Sequence, residues 1–338
     1  MTSRVDKAIN SLRQKLKDRD FYDAHQQARG IVTRYYLKQS NYDAAAELLA
    51  EYATAFLREG ASASGGDLAI MLVDVYQEAK WEITGGDDDT EGRARKKRLI
   101  ELLREFPSEE TTRKRFIRKM IEWSSDFGPL ARGDPELHHA IGLVYAEENE
   151  PYDAETHLVL GTSESAETLA KLEYEWYTHD EPHTAALYAS RAVFPYLITG
   201  NFRSANKALL IFTSRLSTAN PSLAVQDVSS SSSDARVYPA LPLLNFLTLL
   251  LLTIQRGSAD LFRQLTAHYA AQIREVGIWD DFLAQIGEQY FAIKIPRQGS
   301  IMDMMGSMFG FGGAGAQEPA GGRRVKKVEA PPPSMELD

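Results

Sequence analysis

The chain has 338 residues, 43% hydrophobic and 25% charged, with 38 Lys and Arg against 47 Asp and Glu. That is the composition of a soluble globular protein, and a net charge of −9 argues against a dedicated nucleic-acid binder. The absence of cysteine excludes a disulfide scaffold, a thiol nucleophile, a cysteine zinc site and a Cys-ligated iron–sulfur cluster, and it fits a reducing compartment.

Val5, Ile9, Leu12 and Leu16 define a first amphipathic helix, and Asp18 or Asp20 is placed to cap a second. The first twenty residues lack the apolar core and small-residue cleavage site of a signal peptide, so a cytosolic protein is expected. Two aromatic–Asp–Ala starts follow, Tyr22-Asp23-Ala24 and Tyr42-Asp43-Ala44, twenty positions apart. After the second, Ala45, Leu48, Leu49, Tyr52 and Phe56 fall on one helical face. Ala61–Gly66 reads as a small-residue loop, and Leu68, Leu72, Val75 and Ala79 as the buried face of a fourth helix beyond it. A helix with one apolar face must dock on a neighbour, and Ala beside Leu and Tyr permits close antiparallel approach. This is the pattern of an all-α fold, an α-solenoid of antiparallel helix pairs resembling TPR-like repeats.

The acidic connection Gly85–Thr90 leads into a basic helix pair with buried faces at Leu99, Leu102, Leu103, Phe106 and at Phe116, Met120, Ile121, Ser124. Between Arg93 and Lys119 eleven Lys or Arg stand against four Glu, a solvated helical face or a partner surface. Asp134-Pro135 signals a helix start, with Asp as N-cap and Pro at the first helical position. Tyr152-Asp153-Ala154 repeats the opening signature, and Phe202-Arg203-Ser204-Ala205 is a weaker echo. Helices are then expected at 163–178, 183–196, 201–216, 240–256, 259–276 and 279–294, about fourteen in all by apolar period. The apolar run 240–254 is shorter than the ~20 residues a membrane span needs, and reads as a buried helix. Residues 220–239 interrupt the pattern as a short β-hairpin or a loop, and the Gly/Pro-rich tail from Gly312 has the composition of disorder.

No catalytic, cofactor or metal constellation is visible. His179 and His183 mimic a zinc-protease spacing, but Pro182 between them breaks the helix that would align them. His138 and His139 point about 100° apart on a helix and do not converge alone. Residues 310–315 spell G-x-G-x-x-G, without the strand before or the helix after that a dinucleotide site requires. Arg323, Arg324, Lys326 and Lys327 are either an import address or a solubilising tail. An enzyme is therefore not expected.

The ordered set of blocks resembles the Golgi-to-ER traffic protein 4 family, the transmembrane-domain recognition complex 35 kDa subunit of animals, in a fungal-like form. The blocks are Phe21–His25, Arg34-Tyr35, Tyr42–Ala44, Gly65–Leu68, Val75-Tyr76, Gly133–Pro135, Ile141-Gly142, Tyr152–Glu155, Leu160–Thr162, Asn245–Leu247 and Met304–Gly306. The resemblance implies an adaptor in post-translational targeting of tail-anchored membrane proteins to the ER. Residues 1–150 would bind the targeting ATPase. Residues 151–311 would hold the N-terminal segment of a ubiquitin-like protein, which recruits a substrate-bearing co-chaperone. Residues 312–338 would be a disordered tail. Neither nucleic acid nor direct membrane insertion is expected. The alternative is a helical-repeat subunit of another cytosolic assembly, proteasome-lid-like or trafficking.

On this reading the candidate ATPase contacts are Tyr22, Arg29, Lys38, Arg58 and Asp67. Asp67 has a second reading as a helix N-cap. The candidate contacts for the ubiquitin-like partner are Leu223, Val225, Val228, Val237 and Tyr238 on the insertion, and Leu243, Phe246, Leu250 and Phe282 beyond it. Phe246 and Leu250 are the preferred anchors, on a helix apolar on more sides than one neighbouring pair covers, with internal packing of the same face as the alternative.

Overall fold

The computed structural model describes residues 4–86, 88–223, 225–230 and 233–293. The described residues belong to one compact unit; residues 294–338, with the G-x-G-x-x-G stretch, lie outside them. Fifteen α-helices occur among the described residues. They are α1 (Arg4–Lys17), α2 (Phe21–Ile31), α3 (Tyr42–Arg58), α4 (Ser62–Glu78), α5 (Thr90–Glu105), α6 (Thr111–Asp126), α7 (Pro135–Glu147) and α8 (Pro151–Leu158). Then come α9 (Ser165–Tyr177), α10 (Ala185–Ile198), α11 (Phe202–Ala219), α12 (Pro242–Arg256), α13 (Ala259–His268), α14 (Ala270–Val276) and α15 (Trp279–Phe291). Strands β1 (Gln226–Ser230) and β2 (Ser233–Val237) form an antiparallel hairpin in which Gln226 pairs with Val237 and Ser230 with Ser233.

The packing is that of a two-layer helical solenoid. Consecutive helices form hairpins, as in α1–α2, α3–α4, α7–α8 and α10–α11. Each layer is then built by helices two apart: α2 on α4 and α4 on α6 in one, α3 on α5, α5 on α7, α7 on α9 and α9 on α11 in the other. Most helices therefore cover their apolar stripe on two sides, within the hairpin and along the layer.

The repeated start signature has a local cause. Asp20, Asn41 and Asn201 each accept a hydrogen bond from the backbone N–H three residues on, satisfying a donor that the first helical turn leaves free. The alanine four positions after each cap, Ala24, Ala45, Ala154 or Ala205, is buried, whereas Ala44 of the second signature is only half-buried. Counted from the caps, Asp20 and Asn41 are twenty-one positions apart, so Phe21 rather than Tyr22 is the counterpart of Tyr42. Tyr22 and Tyr152 instead share the second helical position and are the two most exposed tyrosines, at 73% and 63%.

Two expectations need correction. Residues 62–66 are not a loop but the first turn of α4, because Gly65 and Gly66 serve close approach rather than a turn. A Cβ on Gly65 would stand 2.7 Å from the Leu57 side chain and 3.0 Å from the Ala53 carbonyl, and one on Gly66 would strike Thr112. The helix expected at 259–276 is broken at Tyr269 (φ −97°, ψ 11°), whose ring lies 5.4 Å from Phe246.

Charged side chains tie the layers together. Lys96 is buried and meets Asp134 at 3.0 Å and Glu136 at 2.6 Å, joining α5 to α7. Arg113 is buried and pairs in two-pronged fashion with Glu148 at 2.6 and 2.7 Å, joining α6 to α7. Arg191 pairs likewise with Glu155, joining α10 to α8. Asp134 also caps α7 as expected, accepting from the N–H groups of Glu136 and Leu137. Such pairs add little net stability beside apolar packing, but losing one partner strands the other charge.

At the α7–α8 hairpin His138 donates from Nε2 to the Arg132 carbonyl (2.9 Å), which leaves its Nδ1 to accept from His157 Nδ1 (3.0 Å). Burial favours the neutral form of both rings, for which this bonding pattern holds. Burial pushes His157 down to about 3, aided by the neighbouring His138, and pushes His138 below its ordinary value despite the nearby Asp134. The folded state binds fewer protons here than the unfolded chain, so this contribution is complete above the ordinary histidine pKa near 6.5 and is lost as pH falls below it. The unfolding free energy from denaturant titrations should fall between pH 7 and pH 5, by up to ~1.4 kcal/mol per pH unit per histidine. His157→Gln, which keeps a donor for His138, should flatten that dependence; an unchanged pH profile would assign it to other groups.

Candidate interaction surfaces

The N-terminal candidates fall into one cluster and two outliers. Positions 22, 25 and 29 share a face of α2, since offsets of three, four and seven lie on one side of a helix. Asp67 reaches that face from α4: its Oδ2 is 2.9 Å from His25 Nε2 and 2.7 Å from Arg29 Nη1. Asp67 lies in the second turn of α4, so the reading of it as an N-cap is overturned. It is an ion-pair partner at the surface, and Tyr22 is exposed on the first turn of α2, one turn before His25. His25, not singled out among the candidates, completes the cluster; its spacing of four from Arg29 was the available signal. Lys38 is exposed on the 3-10 turn that follows α2. Arg58 ends α3 and pairs with Glu105 of α5. No described contact joins Lys38 or Arg58 to the Asp67 cluster.

The basic run on α5 and α6 turns substantially inward. Besides the buried Lys96 and Arg113, Arg95 lies over the Trp81 ring at 4.2 Å, Arg98 reaches the Tyr76 hydroxyl at 3.3 Å, and Lys119 pairs with Asp74 at 2.9 Å. Much of the local charge excess is therefore interhelical, which sequence spacing alone does not disclose.

The C-terminal candidates divide differently. The insertion is a hairpin, and its base is fastened down. Tyr238 is buried, its hydroxyl 2.8 Å from Ser217 Oγ, while the Asn245 amide donates to the Tyr238 carbonyl and accepts from its N–H, both at 2.8 Å. Phe246 and Leu250 are also fully buried, and the expectation that they face an uncovered groove does not hold. Helices α10, α11 and α13 close around α12, and Phe246 lies between Tyr269 and Trp279, with ring centroids 5.4 and 5.7 Å away. Leu223, Val225, Val237, Leu243 and Phe282 remain partly exposed. Val228 pairs with Ala235 within the hairpin. Leu249, 40% exposed on α12, is an accessible leucine that the uniform apolar run concealed.

The histidines considered as ligands do not gather. His138 turns to His157 and His139 to Ser165 (2.8 Å), while His179 and His183 are exposed around a 3-10 turn at Pro182–Thr184. Among the described residues no group of three or more His, Asp or Glu side chains is arranged to hold a metal ion. No helix among them is long and apolar enough to cross a membrane.

With this geometry in place, three comparisons bear on the chain. The model of the family described as Golgi to ER traffic protein 4 matches residues 39–309. The chain is 73% identical to the Golgi to ER traffic protein 4 of Aspergillus fumigatus over 100% of both chains. It is 32% identical to that of Schizosaccharomyces pombe, over 91% of this chain and 96% of the relative. The crystal structure of C. therm. Get4 superposes with a TM-score of 0.80 at 45% identity, covering 97% of this chain and 100% of the other.

Because Asp67 sits inside α4 rather than at its end, Asp67→Asn should change folding stability by less than about 1 kcal/mol, the range of exposed ion pairs. Chemical denaturation measures this, and a loss of several kcal/mol would show a structural rather than a surface role.

Proposed function

The chain belongs to the Golgi to ER traffic protein 4 family, and from that premise we propose that it is a cytosolic adaptor bridging a targeting ATPase to a ubiquitin-like protein during tail-anchored protein delivery. Membership itself gives the coarser role, a part in traffic to the ER within an adaptor family. The bridging is our reading, and one observation carries it: a single solenoid presents a mixed polar–aromatic cluster on its first hairpins and a β-hairpin insertion with partly exposed apolar residues near its last ones.

The N-terminal half, residues 1–150, engages the ATPase through Tyr22, Arg29 and Asp67, with Lys38 and Arg58 as flanking charges. Exposed charged contacts of this kind steer association and weaken with salt. The C-terminal half, residues 151–311, clasps an N-terminal segment of the ubiquitin-like partner through Leu223, Val225, Val228 and Val237 of the insertion, with Leu243 and Phe282. Tyr238, Phe246 and Leu250 support this surface from below. The adaptor performs no chemistry on its cargo; it raises the effective concentration of one handoff partner near the other.

Titration calorimetry with each partner separately tests the assignment. Arg29→Glu should weaken ATPase binding by about tenfold or more, the range of a central contact, and leave the ubiquitin-like partner unaffected. Removing residues 226–237 should do the reverse. A charge reversal at Arg29 without effect on the ATPase would remove the N-terminal site, and undiminished binding of the ubiquitin-like segment without the hairpin would remove the clasp.

A further inference from the structure

Three helix ends bring aromatic rings together on the surface between the two regions discussed above. Tyr152 starts α8, Trp176 ends α9 and Tyr188 lies on the first turn of α10. The Tyr152 and Trp176 rings meet edge to face at 5.2 Å and 84°, and Trp176 meets Tyr188 at 5.9 Å and 66°. Tyr152 is 63% exposed, and Trp176 and Tyr188 are half-buried. Rings set at steep angles to one another leave steps between them rather than a flat patch.

A partly buried charged cluster holds these rings. The Arg191 guanidinium lies 4.7 Å from the Trp176 ring centre and 5.2 Å from that of Tyr152. It is fixed in turn by two-pronged pairing with Glu155, at 2.6 and 2.7 Å, and by Glu173 Oε2 at 3.2 Å from Nε. Glu173 is completely buried, with neither carboxylate oxygen in a hydrogen bond. Two carboxylates thus face one guanidinium. Burial, and then the neighbouring Glu155, push the Glu173 carboxyl well above its ordinary value, which favours its neutral form. An apolar side chain at 173 would pack α9 at lower cost. What the network adds is rigidity under an exposed aromatic surface, the support a binding site requires.

The rim is acidic. Asp180 accepts a hydrogen bond from the Tyr188 hydroxyl at 2.9 Å, and Glu181 next to it is exposed. The local cations are engaged: Arg191 beneath the rings, Lys114 on Asp153 at 3.2 Å and Arg215 near Glu175 at 3.9 Å.

We propose that Tyr152, Trp176 and Tyr188 form a docking site for a proline-rich segment of a partner protein, bound as a polyproline II helix with a basic residue against Asp180 and Glu181. Stepped aromatic rings suit this occupant because a polyproline II helix has three residues per turn, no internal hydrogen bonds to protect and little conformational entropy to lose. The acidic rim sets the flanking charge and favours a basic segment over an acidic one. The site is independent of the two surfaces assigned to the ATPase and the ubiquitin-like partner.

The test uses the full chain and a fluorescein-labelled peptide with an oligoproline core flanked by arginines, followed by fluorescence anisotropy. A second peptide keeps the arginines and replaces the prolines by Gly and Ser. Saturable binding of the first peptide is expected, with much weaker binding of the second. Tyr152→Ala should weaken the first by about tenfold, as loss of a central aromatic contact does. Glu181→Lys should weaken it several-fold and reduce its salt dependence. Both positions are exposed, and circular dichroism checks that helix content is unchanged. No saturable binding, equal binding of the Gly/Ser peptide, or indifference to Tyr152→Ala would each overturn the proposal.

Discussion

The structure depends on how closely successive helices approach. Each helix carries a single apolar stripe and is stable only when a neighbour covers it. In this chain the approach is set by small residues opposite large ones. Gly65 admits Leu57, and Gly142 lets the Leu158 side chain to within 2.6 Å of where a Cβ would stand. Ala45, Ala46, Ala53 and Ala69 are fully buried along the α3–α4 hairpin. Once hairpins pack this tightly, the layers can extend by repetition.

The paired charges answer a different problem. Apolar stripes specify that helices pack but constrain their register weakly. Lys96, Arg113 and Arg191 each cross between hairpins to a carboxylate on a different helix, where mispairing would leave a charge buried and unmet. Two of these ties converge on α7, which with α8 spans the passage from the N-terminal to the C-terminal half. A solenoid braced there suits an adaptor, because effective concentration between two bound partners depends on a defined separation.

Much of the fold was legible because its determinants are local. Helical period located the buried faces at Leu99, Leu102 and Leu103, and Asp134-Pro135 marked the start of α7 within the reach of cap chemistry. Gly65 and Gly66 misled, since glycine serves both turns and close helix contacts, and only the presence of Leu57 and Thr112 opposite decides between them. The N-cap alternative for Asp67 failed for the same reason: once the helix begins at Ser62, the carboxylate is no longer at an end and finds His25 and Arg29 instead. Phe246 and Leu250 were placed on the correct helix but on the wrong side of the surface, because a run of leucines does not state how many neighbours enclose it. The identity of each long-range ion-pair partner was illegible altogether, as Arg113–Glu148 and Arg191–Glu155 join residues about ten helical turns apart in sequence.

If the chain is an adaptor with two separate docking surfaces on one solenoid, both partners must be held at once. Sedimentation velocity on a mixture of the chain, the targeting ATPase and the ubiquitin-like protein tests this directly. The expected result is a species containing all three that sediments faster than either binary complex, and that reverts to the binary complex with the ubiquitin-like protein when Arg29→Glu is used. Displacement of one partner by the other, with only binary species at saturation, would contradict it.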